Sequence, residues 1–153
     1  MIEKLKQLLG NTFGDDGDAL MTDRDHTKLL AAVALMVEVI AVDDQQHDAE
    51  IAMLRQLVME RFDLSADKAE ALIEQAEAAL QQSTDFYRFT SAINLEFDHD
   101  EKIELIESLW QLAYADEHLD AIEQHVIRKL ASLLHVSHKD FIATKLRVVE
   151  EDD

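Results

Sequence analysis

The sequence predicts an all-α protein, a compact multi-helix bundle of about seven helices with two pseudo-repeated helical hairpins. Three observations predict it. Proline is absent and the three glycines all fall within residues 10–17, so the rest of the chain lacks the usual helix breakers. Apolar residues recur at helical spacing from residue 29 onward. An acidic elbow is also written twice: a shift of 73 residues puts Asp25 and His26 on Asp98 and His99, Asp43 and Asp44 on Asp116 and Glu117, and Glu50 on Glu123.

Residues 1–9 present Ile2, Leu5, Leu8 and Leu9 as a short amphipathic helix, and residues 10–24 follow as a polar, acidic linker. Its Asp-Asp-Gly-Asp run is no EF-hand, which needs glycine sixth and glutamate twelfth; counted from Asp15 those positions hold Leu20 and His26. The helical domain is placed at 25–148. From Leu29 to Val42 only Glu38 is charged, and a helix apolar on every side is a buried one. This segment is the expected central helix, with Asp25 as its N-cap. The second helix runs from His47 to about Phe62 through Ile51, Leu54, Leu57 and Val58. Ser65 caps a third, which presents Ala69, Leu72, Ile73, Ala76 and Leu80.

A short helix with Phe86, Phe89 and Ile93 inward leads to Asp98, the N-cap of the second hairpin. Its first arm turns Ile103, Ile106, Leu109, Trp110 and Ala113 inward, and its return arm, Leu119 to His135, uses Ile122, Val126, Leu130 and Leu133. Ser137 caps the last helix, which holds Phe141, Ile142 and Leu146, and residues 149–153 form an acidic tail.

Composition narrows the chemistry. With 153 residues the chain buries a single substantial core. With no cysteine it has no disulfide, thiolate nucleophile or cysteine zinc site. A net charge of −19 disfavours nucleic acid and anionic membrane surfaces, whose binding needs clustered Lys and Arg, and it favours cations and basic proteins. No secretory signal is apparent in MIEKLKQLLGNTFG, so the cytoplasm is the expected compartment. The apolar helix is shorter than the roughly 20 residues that span a bilayer, so no direct membrane insertion is expected.

The elbows carry the one site that the residues suggest. Carboxylates at a helix C-terminus meet partial negative charge at a cost of about 0.3–1 kcal/mol each, and here they stand there twice. A divalent cation would offset that cost, drawing oxygen from Asp43 and Glu50 in the first elbow, from Asp116 and Glu123 in the second, and from Asp44 and Glu117 beside them. The competing reading is structural. Asp120 followed by Glu123 spells a capping box, His47 followed by Glu50 a poorer one, and the aspartates then serve as polar turn residues. A capping glutamate keeps a second oxygen for a metal, so the readings are compatible.

Other constellations are weaker. His118 and His125 lack a zinc-binding spacing. Glu96 with His99, and Asp23 with His26, repeat the spacing of di-iron bundles but fall where helices start rather than at mid-helix. No phosphate loop or nucleophile motif is present, and no enzymatic activity is expected.

The two elbow motifs, AVDDQQHDAE at 41–50 and YADEHLDAIE at 114–123, make the chain resemble the tellurite-resistance TerB family and the wider TerB-like domains, including one at the head of certain membrane-anchored DnaJ-type co-chaperones. The resemblance covers about Asp23 to Val148. It implies a two-part helical bundle of cytoplasmic stress and tellurite-response systems, with metal-binding acids that fall by position on Asp43, Glu50, Asp116 and Glu123. This chain carries Asp44 and Glu117 where the family pattern has glycine, which takes positive φ at no steric cost.

Two functions are expected from these residues together. The first is a non-enzymatic stress accessory protein that binds a divalent cation and presents an acidic face to stress-response partners, basic or membrane-associated. The alternative is a metal-free acidic protein-interaction module.

Overall fold

The computed structural model describes residues 23–41, 48–82, 87–117 and 119–151. They form seven helices and no strand: α1 (Asp23–Ala41), α2 (Asp48–Phe62), α3 (Ala66–Gln82), α4 (Tyr87–Glu96), α5 (His99–Ala113), α6 (Ala121–Leu133) and α7 (His138–Glu151). The amphipathic stretch and linker expected at 1–22, Phe86, and the tip of the acidic tail lie outside the described residues.

Helix α1 is the axis of the bundle. Leu29, Ala31 to Val37, Val39 and Ile40 are all buried, and α2, α3, α4, α5 and α6 each pack against it. Burial on every side follows from the composition of the helix, because from Leu29 onward its one charge, Glu38, sits at a half-buried position. Helix α7 has its main contact with α5, where Phe141 meets Trp110 at a ring distance of 5.2 Å. No helix among the described residues is long and apolar enough to cross a membrane. Helix α1 begins at Asp23, so Asp25 lies inside it and is not its N-cap.

Without glycine, the chain makes two of its helix joints from other residues. After α2, Asp63 takes φ 57°, and the Leu64 amide donates back to the Met59 carbonyl at 3.0 Å. After α6, His135 takes φ 62°, and the Val136 amide donates to the Ala131 carbonyl at 2.9 Å. This six-to-one bond defines a Schellman end, in which the residue after the positive-φ position turns inward. Leu64 and Val136 are accordingly buried. Ser65 and Ser137 follow at once and accept from the amides of Lys68 and Asp140, as the sequence predicts for N-caps.

Two helix faces differ from the sequence expectation. On α6 the inward residues are Glu123, Ile127, Leu130 and Ala131, while Ile122 is 56 % exposed and Leu133 sits at the surface. The stripes through 122 and through 123 share Leu130, and apolar spacing alone does not choose between them. Contact with α1, α5 and α7 does. On α2, Ile51 is exposed and Glu50 takes the inward place.

Polar contacts lock α5 in position. Asp98 caps it and forms a reciprocal box with Glu101, the Glu101 amide donating to Asp98 and the Asp98 amide to the Glu101 carboxylate. The same carboxylate receives Lys28 of α1 at 3.1 Å, and Lys28 is itself buried with its ammonium 4.9 Å from the Phe97 ring. Farther along α5, Glu107 pairs with Arg61 at the end of α2 and with Arg147 of α7, at 3.5 and 2.7 Å.

Removing Glu101 strips a buried ammonium of a partner and opens the capping box. Glu101→Ala is therefore expected to cost about 2–4 kcal/mol in urea unfolding, against about 1 kcal/mol or less for Lys28→Met, which removes the buried charge and keeps most of the volume. Burial also raises the Glu38 carboxyl above its ordinary range. The folded state then binds this proton more tightly than the unfolded state, so the linked stability is present below the unfolded carboxylate range and is lost as pH rises through the raised value. Glu38→Gln is expected to melt higher than the parent near neutral pH, with the advantage shrinking as the pH falls toward the carboxylate range.

Candidate functional site

The first elbow joins Ala41 to Asp48, and its Asp43, Asp44 and His47 lie outside the described residues. Its glutamate does not. Glu50 is the third residue of α2 and is 1 % exposed. The second elbow joins α5 to α6. Tyr114 closes α5, its amide donating to the Trp110 carbonyl, and the Glu117 amide donates to the Tyr114 carbonyl at 2.9 Å to tighten the turn. Asp116 and Glu117 face solvent, whereas Glu123, the third residue of α6, is 2 % exposed.

The expected capping box at Asp120 and Glu123 is not complete. Asp120 has the extended backbone of an N-cap, yet its side chain makes no capping hydrogen bond. The full box stands at Asp98 and Glu101 instead. Glu123 therefore lies inside for a reason other than reciprocal capping. On both Glu50 and Glu123 the Oε2 atom is buried and accepts no hydrogen bond, although each carboxylate is engaged through another interaction. The partial positive charge of a helix N-terminus favours a carboxylate in the first turn, which lowers the cost of burying either one.

The pattern behind this burial is present in the sequence. Glu50, Leu54, Leu57 and Val58 stand at i, i+4, i+7 and i+8, and so do Glu123, Ile127, Leu130 and Ala131. In each helix the acid occupies the first place of the apolar stripe. Extending the apolar spacing backward by one turn reaches each acid and its apolar neighbour alike, Glu50 with Ile51 and Glu123 with Ile122, so it marks the acids without choosing them.

As a donor set, buried carboxylates beside an acidic turn suit a hard cation that takes oxygen ligands. Among the described residues, no three His, Asp or Glu side chains converge tightly enough to hold a metal ion. Asp43 and Asp44 of the first elbow, and His118 of the second, fall outside those residues. The remaining histidine constellations are apart from this site. Glu96 ends α4 and His99 starts α5, so the pair does not face inward from mid-helix, and His99 lies at the surface 3.5 Å from Asp140. His125 is exposed on α6.

Glu117 adopts φ 62°, the left-handed conformation that glycine takes freely and other residues take at a steric cost. Glu117→Gly removes the clash of that side chain with the backbone and returns some entropy to the unfolded chain. The expected net gain is about 0.5–1 kcal/mol, read as a higher urea midpoint at an unchanged slope.

Comparison with known families finds that the model described as Tellurite resistance protein TerB matches residues 29–146. Neither the curated proteins nor the solved structures provide a match. The matched span runs from the first apolar turn of α1 into the second half of α7 and takes in both elbows. With its seven-helix architecture and a family match over most of its length, the chain belongs to the TerB tellurite-resistance family.

Proposed function

We propose that this protein is a non-enzymatic TerB accessory protein of the cytoplasm that binds a divalent cation at its acidic elbows and offers an acidic surface to stress-response partners. One observation carries the reading: Glu50 and Glu123, the same residue of the two elbow motifs, are both almost wholly buried at the third position of a helix. A buried carboxylate is costly unless its charge is matched, and a cation held between it and the preceding acidic turn would match it. The ligands would be Asp43 and Glu50 at one elbow and Asp116 and Glu123 at the other, with Asp44 and Glu117 adding charge nearby. Oxygen donors of this kind favour calcium, magnesium or manganese over softer ions.

The metal-free interaction module has its own supporting observation. Asp116 and Glu117 point to solvent, and no three donors converge among the described residues. In that reading the elbows are docking acids for a basic partner, and the buried glutamates serve the fold at the helix N-termini.

Thermal unfolding of chelator-treated protein separates the two. Calcium, magnesium, manganese and zinc are titrated singly into the parent and into the Asp43→Asn, Asp116→Asn double variant. Cation binding predicts stabilisation by about 2.7 kcal/mol at a hundredfold excess over Kd, for one metal in preference to the others and absent from the variant. Small, equal rises with every cation that survive in the variant mean screening of the −19 charge, and the elbows are then docking acids.

A further inference from the structure

The charge of this chain is unevenly distributed. Residues 124–148 hold five of its fourteen Lys and Arg but only one of its thirty-three Asp and Glu, Asp140, and three of its seven His. This segment lies within the α6–α7 hairpin and carries net positive charge on a strongly acidic protein, while Glu123, Glu150 and Glu151 at the ends of the hairpin fall outside it.

Structure divides the five cations by task. Arg147 pairs with Glu107, and Lys145 donates to Gln124 at 3.2 Å while lying over the Trp110 ring. Those two serve the fold. Arg128, Lys129 and Lys139 are exposed and have no acidic partner among the described residues, despite the excess of acids. On α6, His125, Arg128, Lys129 and Ser132 stand at i, i+3, i+4 and i+7, all exposed, and so form one outward stripe. The stripe ends at an open pocket at the α6–α7 corner, where Arg128, Ser132 and His138 stand around Ala131, Val136 and Phe141. His138 lies against Phe141 at a ring distance of 5.8 Å.

We infer that this face of the α6–α7 hairpin is a docking site for an acidic peptide segment of another protein. Carboxylates of the segment would run along Arg128, Lys129 and Lys139, and one apolar side chain would enter the corner pocket over Val136 and Phe141. The occupant follows from charge and extent. Three exposed cations spread over two helices, Arg128 and Lys129 on α6 and Lys139 on α7, exceed what a single small anion needs. Nucleic acid, an anionic bilayer and a second copy of this chain are all large, highly charged bodies that meet the whole −19 field. A short peptide seated on the island meets mainly the charges within a screening length, about 10 Å at 0.1 M salt. This surface is separate from the acidic elbows and recognises the opposite charge, so it stands whether or not a cation binds there.

The test uses the full chain and a fluorescein-labelled peptide of about ten residues, all glutamate except one central leucine, followed by fluorescence anisotropy at about 0.1 M salt. The island variant is Arg128→Glu, Lys129→Glu, Lys139→Glu. The control carries the same charge change elsewhere, as Lys68→Glu, Arg88→Glu, Lys102→Glu, and circular dichroism checks that both are folded. The expected result is saturable binding that the island variant weakens by at least about tenfold and the control by less than about threefold, with weaker binding when the leucine is replaced by glutamate. Equal losses in both variants, or no binding by the parent up to about 1 mM protein, overturn the inference. So does a duplex oligonucleotide that binds more tightly than the peptide through the same three residues, or a dimer in sedimentation that the island variant dissociates.

Discussion

The bundle depends on the burial of α1. A helix that carries Leu29, Val33, Leu35, Met36, Val39 and Ile40 around its whole circumference has no face to offer water, and it becomes stable only when neighbours enclose it. Five other helices supply that enclosure. Each buried side chain of this size contributes roughly 1.5–3 kcal/mol relative to exposure, so the enclosure supplies most of the driving force. Lys28 marks where it closes. There the first buried turn of α1 meets the start of α5, and an ammonium that cannot reach bulk water is held by Glu101 and the face of Phe97.

A chain with no proline and glycine only near its start must still turn sharply between helices. It does so by placing Asp63, Glu117 and His135 in the left-handed region, each at a steric cost that glycine would avoid. Asp63 and His135 gain in return a Schellman bond and the burial of the next apolar residue, which offset the cost locally. Glu117 belongs to the candidate site. Its strained turn carries an exposed carboxylate within a few residues of the buried Glu123, so charge was placed at a position where backbone economy alone would choose glycine.

Two surfaces of opposite sign follow from this arrangement. Acids dominate the chain and crowd the elbows, while residues 124–148 of the α6–α7 hairpin are basic. Glu107 takes Arg61 and Arg147 to tie α2 and α7 to α5, Lys145 lies over Trp110, and Arg128, Lys129 and Lys139 remain on the outside of the hairpin. A cation at the elbows and an acidic peptide on the hairpin would each meet the sign of charge that suits it.

Much of this was legible in the residues. The unbroken apolar run of α1, the serine caps at 65 and 137 and the capping aspartate at 98 all rest on local rules: periodicity, capping chemistry and the absence of breakers. The inward face of α6 was not. There two stripes one residue apart are both apolar enough, and the choice falls on the one led by a glutamate, because burial is decided by what α1, α5 and α7 present and not by the helix itself. On α2, Leu54, Leu57 and Val58 go inside as expected and only the first place differs, Glu50 for Ile51. The contact of Glu101 with Lys28 was equally hidden, since the two lie 73 positions apart, whereas its box with Asp98 is a local pattern. The sequence by itself determined that the described residues form about seven helices and where most of them start and stop, because those are short-range effects of hydrogen bonding and steric freedom. Only the tertiary structure decided that Glu50 and Glu123 go inside and that Arg128, Lys129 and Lys139 stay outside with no acidic partner among the described residues, because both depend on which surfaces the finished bundle leaves to meet water.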